Sequence, residues 1–168
     1  MSVTDLTERV ADVAERYRHG HDRPLASYGM LDAVYGGVVA GIGVAARRRR
    51  LPRLSVEDIA LIGVATHRLS RTIAKDAVTS PLRMPFTTYN GVSGPAELQE
   101  EVVADGIGHA VGELLTCPFC LAQWVATGFL AGMIFAPRAT RLVAATFAGV
   151  AVSDFLQYAY AAAQKAAE

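Results

Sequence analysis

Apolar residues recur at three- and four-residue steps near the N-terminus: Val3, Leu6, Val10, Val13 and Tyr17, with Asp5, Glu8, Arg9, Asp12, Glu15 and Arg16 between them. This spacing predicts an amphipathic helix within residues 1–23, ended by "HGHDRP". Its polar face is not enriched in Lys or Arg. It therefore fits a soluble helix docked on the rest of the protein or on a partner better than a membrane-surface helix. The segment has no apolar run followed by a small-residue cleavage site, so any membrane insertion is expected to use internal segments.

Beyond Pro24 the polar face disappears. Residues 25–46 carry Asp32 as their only formal charge and are followed by Arg47, Arg48, Arg49 and Arg50. At about 1.5 Å per residue this length spans a hydrocarbon core of about 30 Å. Ala33, Gly37, Gly41 and Ala45 fall four apart and form a smooth stripe that lets another helix approach closely. In a soluble helix each glycine would cost roughly 1 kcal/mol relative to alanine, which favours a membrane span. Residues 121–136, with Gly128, Gly132 and Ala136, and residues 142–163, with Ala145, Gly149 and Ser153, repeat the pattern. Pro137 is expected to stop the first of these, "PRATR" to form a short loop, and the two helices to make an antiparallel hairpin.

Residues 55–75 are ambiguous. Ser55 and Asp58 form a capping-box variant, and Ile59, Ile62, Leu69 and Ile73 mark an apolar face. His67, Arg71 and Lys75 then lie along one line of the helix with Arg68 beside it, so they must face water, lipid headgroups or buried carboxylates. The segment either crosses the membrane or inserts partway. Residues 76–116 read as a polar connecting segment with "TTYNGVSGP" as a turn-rich loop and an acidic helix start at Glu97, Glu100, Glu101 and Asp105. It is the natural place for a ligand or partner surface.

Composition strengthens the membrane reading. Of 168 residues 52% are hydrophobic and 19% charged, which is apolar for a soluble domain. The competing reading is a soluble helical bundle with glycine-rich cores. Sixteen basic residues balance sixteen acidic ones, and no segment interleaves basic and aromatic residues, so a nucleic-acid partner is not expected.

The two cysteines stand in "ELLTCPFCLAQW" as Cys117 and Cys120. Thr116 or Cys117 would cap the following helix and Pro118 would occupy its first position, where the helix dipole favours a thiolate. No strand precedes the motif, so a thioredoxin fold is not expected. Three readings stay open: a structural pair, a redox pair with Cys117 attacking and Cys120 resolving, or a metal site completed by His67, His109 or a second chain's cysteines. Asp154 lies about midway along the last apolar segment, where a carboxylate needs a partner. Arg68, Arg71, or Asp32 with His67 are the candidates, and a structural ion pair is favoured over a proton path. Tyr158 and Tyr160 read as interfacial aromatics. "GIGHAVG" (106–112) misplaces the third glycine of a dinucleotide-binding loop and reads as the flexible approach to a helix.

Two motifs together, "ATHRLSRTIAKDAVTSPLRMPFT" and "GELLTCPFCLAQWVA", resemble DUF1360, a bacterial family of small membrane proteins of unknown role that includes a sporulation-associated member. The resemblance covers about residues 56–163 and rests on Thr66, Arg68, Leu69, Ser70, Arg71, Asp76, Pro81, Leu82, Arg83 and Leu114 to Cys120. It implies a helical multi-pass membrane protein and no particular activity. The N-terminal helix and the first glycine-rich span are additions to the shorter members.

These features predict an all-α transmembrane bundle of three to four helices in the cell membrane: an N-terminal helix in 1–23 and a membrane domain over 24–168. The expected role is a non-catalytic scaffold or subunit, with membrane lipid and a protein partner or second copy packed on the small-residue faces. No cofactor is expected. Membrane thiol-disulfide chemistry and metal binding are the alternatives. The arginine run with Arg53 is expected on the cytoplasmic side, with the N-terminus outside. The side facing the cysteines depends on whether 55–75 crosses.

Overall fold

The computed structural model describes residues 3–21 and 23–167. Helix α1 (Val3–Arg18) is followed by the long helices α2 (Leu25–Ala46) and α3 (Val56–Lys75). A 3-10 turn (Ala77–Thr79) and a one-turn helix α4 (Ser80–Arg83) lead into strands β1 (Thr87–Gly94) and β2 (Glu97–Val102). Helices α5 (Gly106–Thr116), α6 (Pro118–Phe135) and α7 (Pro137–Ala166) complete the chain. The architecture is predominantly helical, as the apolar pattern predicts. Helices α2, α6 and α7 are long and apolar enough to cross a membrane.

Side-chain contacts fix the helix directions. Asp58 at the start of α3 pairs with Arg141 near the start of α7, and Arg68 further along α3 pairs with Asp154 further along α7. These two helices therefore run parallel. On α2, Tyr28 bonds Glu113 in α5, Tyr35 bonds Thr127, and Arg49 stacks over Phe135, so α2 and α6 also run parallel. The tight α6–α7 turn makes those two antiparallel. The four long helices thus alternate in direction along the chain. The core lies where α3, α6 and α7 meet, around Ile62, Ala65, Phe129, Met133 and Ala144.

Helix α3 exposes Glu57 in its first turn but turns Asp58 inward. Its capping box forms, with the Ser55 hydroxyl accepting from the Asp58 N–H and the Asp58 carboxylate accepting from the Ser55 N–H. Asp58 is buried and Arg68 half-buried, while Ile59, Ala60, Gly63 and Val64 face outward.

Several boundaries differ from the sequence expectation. Pro137 does not leave a five-residue loop behind it: it occupies the first turn of α7, so Ala136 alone joins two helices whose bounds are 118–135 and 137–166. Proline serves at a first turn because its missing N–H has no helical partner there. The acidic helix expected from Glu97 is a strand. Strands β1 and β2 pair antiparallel from Thr87↔Val102 to Gly94↔Glu97, with irregularities at Asn90 and Ser93 and the two-residue turn Pro95–Ala96, where Ala96 has φ +62°. The Gly106–Gly112 segment is helical from its first residue, within α5. Gly112 permits the packing there, since a Cβ would lie 2.8 Å from Val102 Cγ1 of β2 and 3.1 Å from Phe86 Cβ.

Of the glycines in the expected small-residue stripes, Gly132 is the one with a close neighbour among the described residues, and that neighbour, Thr140, is not a stripe residue. A Cβ on Gly132 would lie 2.5 Å from Thr140 Oγ1, so this glycine sets the α6–α7 approach. Gly37, Gly41, Gly128 and Gly149 have open space where a side chain would go. Ala33, Gly37, Gly41 and Ala45 on α2, and Ala145, Gly149 and Ser153 on α7, are exposed. Within the chain α7 instead buries Thr140, Ala144 and Ala151. The apolar stripe of α1 is likewise uncovered by the described residues, with Leu6, Val10, Val13 and Tyr17 exposed.

Candidate functional site

The polar end of α3 is held by a guanidinium. Arg83 is fully buried and makes a charged pair with Glu100 of β2, itself nearly buried. Its Nη1 donates to the Ile73 carbonyl at 2.5 Å and to Thr79 Oγ1 at 2.8 Å, and its Nη2 to the Asp76 carbonyl at 3.1 Å. The Thr79 hydroxyl in turn donates to the Thr72 carbonyl at 2.5 Å. A helix C-terminus leaves carbonyls without intrahelical partners. Here Arg83, brought back by the 3-10 turn and α4, satisfies that of Ile73, and Thr79 adds a second donor to the Thr72 carbonyl, which the Asp76 N–H already reaches. The planar fork of arginine suits this role, since it meets several oxygens at once.

The two arginines of α3, Arg68 and Arg71, face carboxylates from its own C-terminal cap, from α7 and from β2. Arg68 donates through Nη2 to Asp76 Oδ2 at 3.1 Å, and its Nε lies 2.9 Å from Asp154 Oδ2 on α7 as a charge contact without hydrogen-bond alignment. Arg71 donates from Nε to Glu97 Oε1 of β2 at 2.9 Å, and its Nη2 contacts the same oxygen. Three elements are thereby tied to one helical turn of α3. They surround a cavity of about 510 Å³, whose wall also includes His67, Tyr158 and the Pro95–Ala96 turn.

Of the residues singled out by sequence, the structure gathers Arg68, Arg71, Asp76 and Asp154 at this cavity, with His67 in its wall and Arg83 directly behind Asp76. Thr66 belongs to the same helix, and its hydroxyl is buried with no hydrogen-bond partner among the described residues. His109 lies elsewhere: Nδ1 is 3.2 Å from the Ala104 carbonyl and Nε2 is 3.5 Å from Glu113. Cys117 and Cys120 form a disulfide at the start of α6, and Cys117 Sγ accepts from the Cys120 N–H at 3.2 Å. Among the described residues no three His, Cys, Asp or Glu side chains are grouped to hold a metal ion.

Sequence reasoning missed Glu97 and Glu100 as partners, because it placed them on a helix. Alternation in "ELQEEV" was the available signal, with Leu98, Glu100 and Val102 more enclosed than Gln99 and Glu101. It also missed the Asp58–Arg141 pair, in which Nε donates to Oδ1 at 2.7 Å.

Residues 61–160, more than half of the sequence, match the model of a protein family described as of unknown function, DUF1360. This chain belongs to the DUF1360 family. Its matched region contains every member of the cavity cluster and the disulfide. A relative in Bacillus subtilis (strain 168), named sporulation protein YjcA, is 33% identical over 75 residues, which is 43% of this chain and 63% of that protein. The alignment thus covers less than two thirds of the relative. No solved structure matches.

Proposed function

We propose that this DUF1360 protein is a four-crossing membrane protein acting as a non-catalytic structural subunit of a membrane assembly. The observation that carries the crossing of α3 is its double attachment to α7. Asp58 and Arg68 stand about 15 Å apart along the helix axis, at about 1.5 Å per residue, and each finds an opposite charge on a helix apolar enough to cross. Charges that would bar α3 from lipid are thereby neutralised inside the bundle.

The same pairing supports an orientation. At the end holding the hairpin and disulfide, Arg23, Arg68, Arg71 and Arg83 each contact a carboxylate. At the opposite end, Arg47, Arg48, Arg50, Arg53 and Arg138 have no ion pair among the described residues, while Arg141 holds Asp58. Unpaired arginine concentrated in two short connections marks the cytoplasmic side. The disulfide then faces the oxidising exterior, where such bonds persist.

The open faces of α1 and α2 support the subunit role, since each is patterned for a helix partner and neither is covered by the described residues. Replacing Gly37, which has free space around it, by Leu tests this. The variant should insert and melt as wild type yet migrate as a smaller complex on native gels of membrane extracts. An unchanged complex would remove the support for assembly through α2.

A second reading, thiol-disulfide exchange, is favoured by the bonded pair at a helix start with Cys120 exposed. Loss of the cellular phenotype in Cys117→Ser at normal protein levels would favour it; indifference would count against it.

A further inference from the structure

The cavity beside Arg68 has charge-bearing atoms left over after its ion pairs are made. Arg71 uses Nε and Nη2 on Glu97 Oε1, leaving its Nη1 and Glu97 Oε2 without a hydrogen bond among the described residues. Asp154 meets Arg68 through Oδ2, and its Oδ1 has no hydrogen bond among the described residues. Both signs are thus on offer in one wall: a guanidinium donor on one side, and carboxylate oxygens on the other. A plain anion is disfavoured, because three carboxylates (Asp76, Glu97, Asp154) face two guanidiniums (Arg68, Arg71). Lys75, one turn beyond Arg71, is not part of the wall. A plain metal cation is disfavoured by the two guanidiniums.

On α7, beside Asp154, the cavity wall includes Phe155, Tyr158 and Ala161, together with the polar Gln157. An aromatic wall beside a carboxylate suits an ammonium group. The volume of about 510 Å³ lies within the range of small-molecule sites.

We propose that this cavity binds a zwitterion bearing a primary ammonium and a nearby anionic oxygen group. The ammonium sits on Asp154 Oδ1 beside Tyr158 and the anion on Arg71 Nη1. Two sources share this chemistry: the phosphoethanolamine headgroup of a lipid, reached from the α7 side, and a free small zwitterion. The inference does not depend on the subunit role; only its lipid source depends on the membrane reading.

The test uses the full chain, purified in mild detergent after incubation with vesicles of equal phosphatidylethanolamine and phosphatidylglycerol. Native mass spectrometry reads the lipid retained, and thermal melting is followed separately with soluble phosphoethanolamine. Retention of phosphatidylethanolamine over phosphatidylglycerol by about tenfold, lost in Asp154→Asn, supports the site with lipid as its source. Stabilisation by soluble phosphoethanolamine without a lipid preference, again lost in Asp154→Asn, supports it with a free zwitterion as source. Ala161→Leu narrows the cavity without touching an ion pair, and should abolish either signal even if the Asp154 variant fails to fold. No lipid preference and no melting shift, or signals that survive Ala161→Leu, would overturn the proposal.

Discussion

Arg68 on α3 and Asp154 on α7 meet at 2.9 Å and tie the two helices together by charge. Asp76 completes the contact at 3.1 Å, so one guanidinium joins α3, its own C-terminal cap and α7. Breaking a buried pair costs about 3–5 kcal/mol, and the partial exposure of Asp154 (38%) reduces that to about 1–3 kcal/mol. Arg68→Leu, which strands two carboxylates, should destabilise more than Asp154→Asn, which leaves Arg68 held by Asp76. Melting of the two purified variants in one detergent checks the order.

Arg83 should be the most sensitive position. It is fully buried with acceptors on three sides, so Arg83→Lys, which keeps the charge but loses the fork, should cost about 3 kcal/mol or more. The double variant Arg83→Met with Glu100→Leu should recover part of the loss, because it removes both charges together. A chemical-denaturation series comparing single and double variants reads this coupling directly.

The α6–α7 joint depends on one missing methyl. Gly132→Val should destabilise by about 1–3 kcal/mol through overpacking against Thr140, and Thr140→Ala should restore much of it. At Gly128, with open space around it, alanine should be neutral or stabilising by up to about 1 kcal/mol. Parallel melts of these variants separate close packing from helix propensity.

The Thr66 hydroxyl is buried without a hydrogen-bond partner among the described residues, a state that costs about 1–3 kcal/mol. Thr66→Val should therefore be neutral or stabilising in a melt of the purified chain. A clear loss of stability would mean that the hydroxyl is satisfied in the membrane by a group outside this chain.

Long-range chemistry was legible in the sequence where apolar context made it conspicuous. Asp154 stood out because apolar sequence surrounds it, and its partner, Arg68, was among three candidates. The bounds of α2 follow directly from the change of pattern at Pro24 and Arg47. What could not be read was which polar residues return to α3 from the connecting segment. Glu97 and Glu100 owe their roles to strand register, set by a turn at Pro95–Ala96 and a bulge at Asn90, just before Gly91, where φ is +125°. Local acid content resembles a helix start just as well. The stripes of α2 and α7 illustrate the converse: spacing marks a face that can pack closely, and says nothing of whether the partner lies in the same chain.

The central claim is that α3 crosses with the bundle, putting the arginine run and the hairpin on opposite sides. Site-specific labelling tests it most directly: single cysteines at Arg50→Cys and Ser93→Cys, each in a Cys117→Ser, Cys120→Ser background, are treated with an impermeant thiol reagent in spheroplasts. Labelling of Ser93→Cys before lysis, and of Arg50→Cys only after it, is the predicted result. Both sites labelled from one side would contradict the four-crossing account.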